Sequence, residues 1–173
     1  DFENAARGFI AGWSPLTIVR AEDGKTVYDL SDFSFLSQEP PPTVNPSLWR
    51  QARLNALFTG LFQVVEGIYQ VRGFDLGHLT LIRGHSGWIL VDPLTSSESA
   101  RAALDLAQRH LGPLPVKAVI ITHSHADHFA GIWGVITPEE VAEGRVTVVA
   151  PEGFVQAALS ENVLAGNVMR RRA

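Results

Sequence analysis

The residues best suited to chemistry lie in one short segment. Residues 122–128 read Thr-His-Ser-His-Ala-Asp-His, with three histidines and one aspartate within six positions. In an extended loop, residues two apart project to the same side, so His123 and His125 can converge on one metal ion. Asp127 and His128 lie one step further along and can face a second ion. Imidazole and carboxylate suit Zn²⁺, Fe or Mn, and two ions about 3.5–4 Å apart can share a bridging hydroxide that is nucleophilic at neutral pH.

The composition agrees with a metal site built without thiolates. The 173 residues include no Cys, so disulfides, thiolate ligands and cysteine nucleophiles are excluded. A net charge of −4 argues against a nucleic-acid partner, which usually needs a basic face. No apolar run approaches the roughly 20 residues that cross a bilayer, so we expect no membrane span. The lack of Cys suits every compartment, and we favour a periplasmic or secreted location over a cytoplasmic one.

Two residues outside the motif are further candidates for the site. Asp92 ends the strand-like run 88–91, and we expect it to accept a hydrogen bond from a metal-binding histidine and so fix its tautomer. The alternative role for Asp92 is that of a turn-capping residue before proline. His78 lies on a loop that could rim the site, and we assign it to substrate binding. For the motif itself, the alternative is a His-rich surface loop.

The elements around the motif follow an α/β order. The apolar run 116–121 predicts a strand buried on both faces, directly before the motif. From residue 64 onward the order is β-β-β-α-β-loop-α-β-α, which is typical of a layered α/β fold with its chemistry at strand ends. The run 146–150 predicts another buried strand. The other predicted elements are strands at 64–71, 79–83 and 88–91, and helices from Ser96 or Ser97 to Leu111, from Pro138 and from Pro151. The apolar residues of the first helix are expected to share one face: Ala100, Ala103, Leu104, Ala107 and Leu111.

An N-terminal arm precedes this fold. A proline run ending at Pro42 separates the arm, residues 1–42, from residues 43–173. Within the arm, Asp23-Gly24 between two strand-like runs predicts a β-hairpin. Asn45 and Pro46 predict the start of a helix that ends near Phe58. Five aromatic residues of the arm are expected to pack either on another surface or on this same domain: Phe2, Phe9, Trp13, Phe33 and Phe35.

The motif at a strand–loop junction resembles that of the metallo-β-lactamase superfamily. Flanking segments narrow the resemblance to the zinc-dependent alkyl sulfatases of that superfamily, and it covers nearly the whole chain; the segments are 45–51, 67–76, 92–96 and 161–167. Two positions depart from the family pattern. Ala130 stands where the family usually has Gly, which we expect to be tolerated. Gly77-His78 replaces a small residue and Asn, which we expect to modulate the rim of the site.

The resemblance implies an αββα sandwich, of which this chain supplies the N-terminal half. It implies hydrolysis of detergent-like alkyl sulfate esters, such as dodecyl sulfate, to an alcohol and sulfate. Carried over by position, His123 and His125 bind one Zn²⁺, Asp127 and His128 bind a second, and a bridging water is the nucleophile. It also implies a homodimer formed through regions beyond this chain. Because such a site takes roughly seven protein ligands, we expect the others after Ala173 and little activity from this fragment alone.

Two alternative functions stay open at this point. The first is another hydrolase of the same superfamily, such as a thioesterase, a lactonase or a β-lactamase. The second is a non-catalytic fragment that keeps the motif but binds one metal ion or none.

Overall fold

The computed structural model describes residues 1–13 and 17–172. Its first helices and strands are α1 (Phe2–Ala6), β1 (Phe9–Ala11), β2 (Thr17–Val19), β3 (Thr26–Asp29), α2 (Pro46–Leu57), β4 (Gly60–Val65), β5 (Ile68–Arg72), β6 (Leu79–Arg83) and β7 (Trp88–Val91). They are followed by α3 (Ser97–Leu111), β8 (Val116–Ile120), α4 (Pro138–Ala142), β9 (Thr147–Val149), α5 (Phe154–Leu159) and α6 (Gly166–Arg172). A 3₁₀ segment covers Leu30–Ser37, and a π-helical turn covers Ser160–Leu164. No helix among the described residues is long and apolar enough to cross a membrane.

One seven-stranded sheet organises the molecule, in the order β1-β4-β5-β6-β7-β8-β9. Neighbouring strands are antiparallel from β1 to β7, whereas β8 and β9 run parallel to β7. Parallel neighbours need a crossover, and α3 supplies it between β7 and β8. As a result, the carboxyl ends of β7 and β8 lie side by side. This brings Asp92 next to the motif.

The helix α3 packs on one face of the sheet. Ser96 caps its first turn, since the Ser96 side chain accepts a hydrogen bond from the Ser99 amide, and Gly112 ends it. The predicted apolar face of this helix is confirmed: Ala100, Ala103, Leu104 and Ala107 are buried. They share one core with fully buried sheet residues such as Leu61, Leu81, Trp88 and Leu90.

The arm also belongs to this core. Its strand β1 pairs with β4, and Ala11 and Ile18 lie in the same buried cluster as the sheet residues. The predicted hairpin is present as β2 and β3, which form a separate two-stranded sheet. The predicted helix start is also present, because the Asn45 side chain accepts a hydrogen bond from the Ser47 amide.

The arm's aromatic residues pack on this same domain. Each has an aromatic partner within the chain, with ring centroids 5.4–6.3 Å apart: Phe2 with Phe58, Phe9 with Phe62, Trp13 with Phe74, Phe33 with Tyr28, and Phe35 with Trp49. These contacts favour packing of the arm's aromatic residues on this same domain over packing on another surface.

Three strand predictions need correction. The run 64–71 is not one strand, because Gly67, with φ +77°, forms a tight turn between β4 and β5. The strand β8 is not buried on both faces, since only Val119 of its five residues is buried. All three residues of β9, the last strand in the sheet order, are exposed. A continuous apolar run therefore predicted these two strands correctly but not their burial.

Candidate metal and active site

Asp92 is the buried anchor of the site. It follows β7, is only 8% exposed, and has φ 56°, a left-handed conformation uncommon for a non-glycine residue. One carboxylate oxygen accepts the Thr122 backbone N–H at 2.8 Å, and the other accepts the Thr122 hydroxyl at 2.7 Å. The same second oxygen lies 2.9 Å from Nδ1 of His128. Through Asp92, the segment after β7 thus contacts Thr122 and His128, the first and last residues of the motif.

The motif histidines are brought together beyond the end of β8. The ring centroid of His123 lies 4.6 Å from that of His125 and 4.0 Å from that of His128. A 3₁₀ turn over Ala126–His128 reverses the chain and directs His128 back toward Asp92. In addition, an Asp127 carboxylate oxygen lies 3.2 Å from Nε2 of His128. The four predicted metal ligands therefore form one cluster.

Hydrogen bonds define the tautomers of two of these rings. The Asp92 carboxylate accepts a hydrogen bond from Nδ1–H of His128. In the neutral ring, Nε2 then carries the lone pair. The Thr122 hydroxyl donates its one proton to Asp92, so at 2.9 Å it accepts from Nδ1–H of His123. His123 therefore also presents Nε2. His123 thus has one nitrogen bonded to protein and the other available to a ligand, whereas Nε2 of His128 faces the Asp127 carboxylate 3.2 Å away.

Glu161 contacts the third ring and was not assigned a role from the sequence. Its Oε1 lies 2.9 Å from Nε2 of His125, and its Oε2 accepts the Ser124 hydroxyl at 3.0 Å. Glu161 lies in the π-helical turn, 36 residues after His125. No local spacing rule links these two residues, so sequence patterns gave no signal for this contact.

The loop 73–78 lies against the motif. A Cβ atom on Gly77 would come within 2.7 Å of the Asp127 carbonyl oxygen, so a residue without a side chain is required for this close approach. The Asp75 carboxylate accepts hydrogen bonds from the Thr95 amide and hydroxyl, at 2.9 and 2.8 Å. The loop is thereby joined to the segment that follows Asp92. Ala130, the other departure from the family pattern, is exposed.

His78 lies at one side of this arrangement. It lines a cavity of about 330 Å³ between the arm, α2 and the loop, together with Tyr28, Asn55 and Leu76. It is not among the residues that line the cavity over the motif. Its role in substrate binding stays a prediction.

The surroundings of His78 predict a pH effect. Loss of hydration lowers the pKa of His78 below its usual 6.5, and the positive charge of Arg72 lowers that pKa further. We expect Arg72→Gln to raise the pKa of His78, because removal of the positive charge favours the imidazolium. The pKa should still stay below 6.5, because the loss of hydration is the larger cause. A ¹H NMR titration of the His78 ring in metal-free protein measures this.

The matched control for that titration is Arg83→Gln. The Arg83 guanidinium lies over Trp88, 4.8 Å from the ring centroid, and is not among the groups that shift the pKa of His78. A downward shift in Arg72→Gln, or an equal upward shift in the control, would contradict the prediction.

A larger cavity, of about 610 Å³, opens directly over the motif. His125, Asp127, Glu161 and Asn162 supply its polar side, and Leu76 and Val163 are among its apolar residues. Leu76 is 74% exposed and lines both this cavity and the smaller one. A polar floor beside apolar walls suits a ligand with one charged end and one apolar end.

The donor atoms of the cluster fit a metal ion. Potential ligand atoms of Asp92, His123 and His128 lie within 4.8 Å of one another. Asp127 adds a carboxylate beside His128, and His125 adds an imidazole beside His123. Neutral imidazole and carboxylate in this number are the donors that Zn²⁺ and similar ions prefer. Asp92 also accepts two hydrogen bonds from Thr122, one at each oxygen. Its role as a partner of a ligand rather than a ligand stays a prediction.

Comparisons with known proteins found a matching family model and related proteins. The family model described as "Metallo-beta-lactamase superfamily" matches residues 72–168. An "Alkyl/aryl-sulfatase BDS1" of Saccharomyces cerevisiae is 44% identical over 100% of this chain and 27% of its own length. An "(R)-specific secondary-alkylsulfatase" of a Pseudomonas species is 47% identical over 99% of this chain and 26% of its own length.

A solved structure extends the comparison to three dimensions. The stereoselective inverting sec-alkylsulfatase Pisa1 from Pseudomonas superimposes with a TM-score of 0.91, at 50% identity, over 99% of this chain and 27% of that chain. The chain thus spans about a quarter of the length of these relatives.

Proposed function

The chain belongs to the metallo-beta-lactamase superfamily, and from that membership we propose that the protein hydrolyses alkyl sulfate esters to an alcohol and sulfate. The observation that carries the proposal is the motif cluster, in which a neighbouring side chain contacts one ring nitrogen of each of the three histidines. The substrate class is supported by the names of relatives that are 44–47% identical to this chain.

Two Zn²⁺ ions are proposed for the complete site. His123 and His125 would hold the first ion, Asp127 and His128 the second, and Asp92 would keep the His128 ring in place. When bound, such ions supply the Lewis acidity that makes a water molecule nucleophilic at neutral pH. The chain's own part is to fix the ligand orientations through hydrogen bonds before any ion arrives.

The charges around the cluster support a need for cations. Asp92, Asp127 and Glu161 place three carboxylates at or beside the motif. On their own they would repel a sulfate ester, since like charges at short range in a partly buried site are unfavourable. Bound divalent cations would reverse the sign of the local potential. We therefore expect the protein to bind an anionic substrate only in its metal-loaded form.

The cavity over the motif supports an amphipathic substrate. Leu76 and Val163 offer apolar surface beside the polar floor formed by the motif. Burial of an alkyl chain there is favourable by about 0.8 kcal/mol for each CH₂ group removed from water. Shorter alkyl sulfates should therefore bind more weakly than longer ones until the apolar surface is covered.

The experiment uses the full-length protein that carries this sequence. After purification with Zn²⁺, it is offered dodecyl sulfate and, separately, a thioester of similar chain length. We expect release of sulfate from the first and little hydrolysis of the second, with loss of activity on treatment with a chelator and recovery when Zn²⁺ is restored. Faster hydrolysis of the thioester would favour another hydrolase of the superfamily. No turnover of either ester, with Zn²⁺ bound, would favour the non-catalytic alternative.

A further inference from the structure

We propose that Glu161 is the positioning residue for His125, and that it holds this ring with Nε2 protonated and Nδ1 directed toward the metal. The inference rests on the proposed function, because it concerns a ligand of the same metal site. It adds a positioning residue, Glu161, that the family resemblance does not assign here.

The contact geometry is that of a carboxylate orienting a metal-binding imidazole. Oε1 of Glu161 lies 2.9 Å from Nε2 of His125. A carboxylate accepts hydrogen bonds, so the proton of a neutral His125 lies on Nε2 and the lone pair on Nδ1. The arrangement parallels that of Asp92 with His128, except that the opposite ring nitrogen is engaged. His125 and His128 therefore each have a dedicated carboxylate partner.

His125 needs such a restraint more than the other two rings. Its side chain is 54% exposed, compared with 23% for His128. An exposed side chain samples several rotamers, and a metal ion that selects one of them must offset the lost entropy. Glu161 is only 20% exposed, so its own position is well fixed. The contact with Glu161 thus orients the His125 side chain before a metal ion binds.

The backbone around Glu161 shows how the contact is built. Glu161 and Asn162 lie in the π-helical turn Ser160–Leu164, and such turns are often found at functional sites. The Asn162 side chain donates to the Ala158 carbonyl at 2.9 Å and to the Ser124 carbonyl at 3.2 Å. Glu161 also accepts from the Ser124 hydroxyl. The side chains of Glu161 and Asn162 thus bind the hydroxyl and the backbone carbonyl of Ser124, the residue before His125.

The test compares three variants of the full-length protein. Glu161→Ala removes the acceptor, Glu161→Gln keeps an acceptor oxygen without the charge, and Glu152→Ala is the matched control at an exposed glutamate. Zn²⁺ affinity is measured by competition with a chromogenic chelator. We expect Glu161→Ala to bind Zn²⁺ about 10–100-fold more weakly than wild type, Glu161→Gln to recover part of that loss, and the control to match wild type.

A second readout reports the orientation directly. Long-range ¹H–¹⁵N NMR of the imidazole rings in the metal-free protein assigns the tautomer of His125. We expect the Nε2–H form in wild type, and a mixture of tautomers in Glu161→Ala. If Glu161→Ala fails to fold, the comparison rests on Glu161→Gln, in which the Nε2–H form should persist with reduced Zn²⁺ affinity.

Distinct results would overturn the inference. Wild-type Zn²⁺ affinity in Glu161→Ala would show that the contact does not orient a ligand. Equal losses in Glu161→Gln and Glu161→Ala would contradict the expected partial rescue by an acceptor oxygen, and an Nδ1–H tautomer in wild type would contradict the assigned orientation. Normal Zn²⁺ binding without sulfatase activity would overturn the proposed function but leave this inference standing. Failure of wild type to bind Zn²⁺ would overturn both.

Discussion

His123→Ala is expected to remove metal binding and alkyl sulfatase activity together. The His123 ring lies between those of His125 and His128, at centroid distances of 4.6 and 4.0 Å, so its loss opens the centre of the cluster. Loss of an orienting partner typically costs about 10–100-fold in metal affinity, and loss of a ligand should cost more than that. We therefore expect Zn²⁺ affinity to fall by more than about 100-fold, as measured by isothermal titration of the full-length protein.

The control for this experiment is His110→Ala. His110 is exposed at the end of α3, remote in sequence from the motif. It should keep wild-type Zn²⁺ affinity and sulfate release from dodecyl sulfate. Unchanged Zn²⁺ affinity in His123→Ala would show that His123 is not a ligand. A variant that lost affinity but kept full turnover at low Zn²⁺ would separate the metal site from the activity.

Asp92→Ala is expected to destabilise the metal-free fold as well as weaken metal binding. Three hydrogen bonds to a buried carboxylate would be lost, leaving the Thr122 amide and hydroxyl and the His128 ring without their acceptor. Hydrogen bonds to a charged acceptor are worth about 1.5–3 kcal/mol each, and water that reaches the exposed Thr122 replaces part of their sum. We expect the free energy of unfolding to fall by about 2–4 kcal/mol in urea denaturation.

Two further substitutions separate the effect of the backbone conformation of Asp92 on stability from the effect of its carboxylate. Asp92 has φ 56°, which alanine adopts only at a cost of about 1–2 kcal/mol and glycine adopts freely. Asp92→Gly should therefore be destabilised less than Asp92→Ala by about that amount, with Zn²⁺ affinity reduced equally in both. Asp92→Asn should be the most stable of the three. Equal stability of the glycine and alanine variants would argue against backbone strain at this site.

Part of the fold followed from local sequence patterns. Short polar side chains satisfy free backbone N–H groups, which predicts Asn45 as one helix cap and Ser96 or Ser97 as another. Asn45 and Ser96 make these hydrogen bonds. The hairpin about Asp23-Gly24 formed as expected for a turn that tolerates positive φ. The metallo-β-lactamase-like fold expected from the resemblance is confirmed by the family match and by the superposition at a TM-score of 0.91.

The errors came from properties that are not local. Apolar residues in β8 and β9 correctly indicated strands, but their burial depends on what covers the sheet, which periodicity does not report. Local preference predicts one strand over 64–71, because the turn at Gly67 is short and the residues on both sides favour strands. The homodimer stays a prediction of the resemblance.

The spacing within 123–128 by itself determined which residues form the candidate metal cluster, because six consecutive positions must lie close together whatever the rest of the chain does. Only the tertiary structure decided which nitrogen each histidine presents. That choice depends on Asp92, 36 residues before His128, and on Glu161, 36 residues after His125. Contacts over such separations arise because β7 pairs beside β8 and a π-helical turn packs against the motif. Sheet pairing and packing set these distances, and no period in the sequence encodes them.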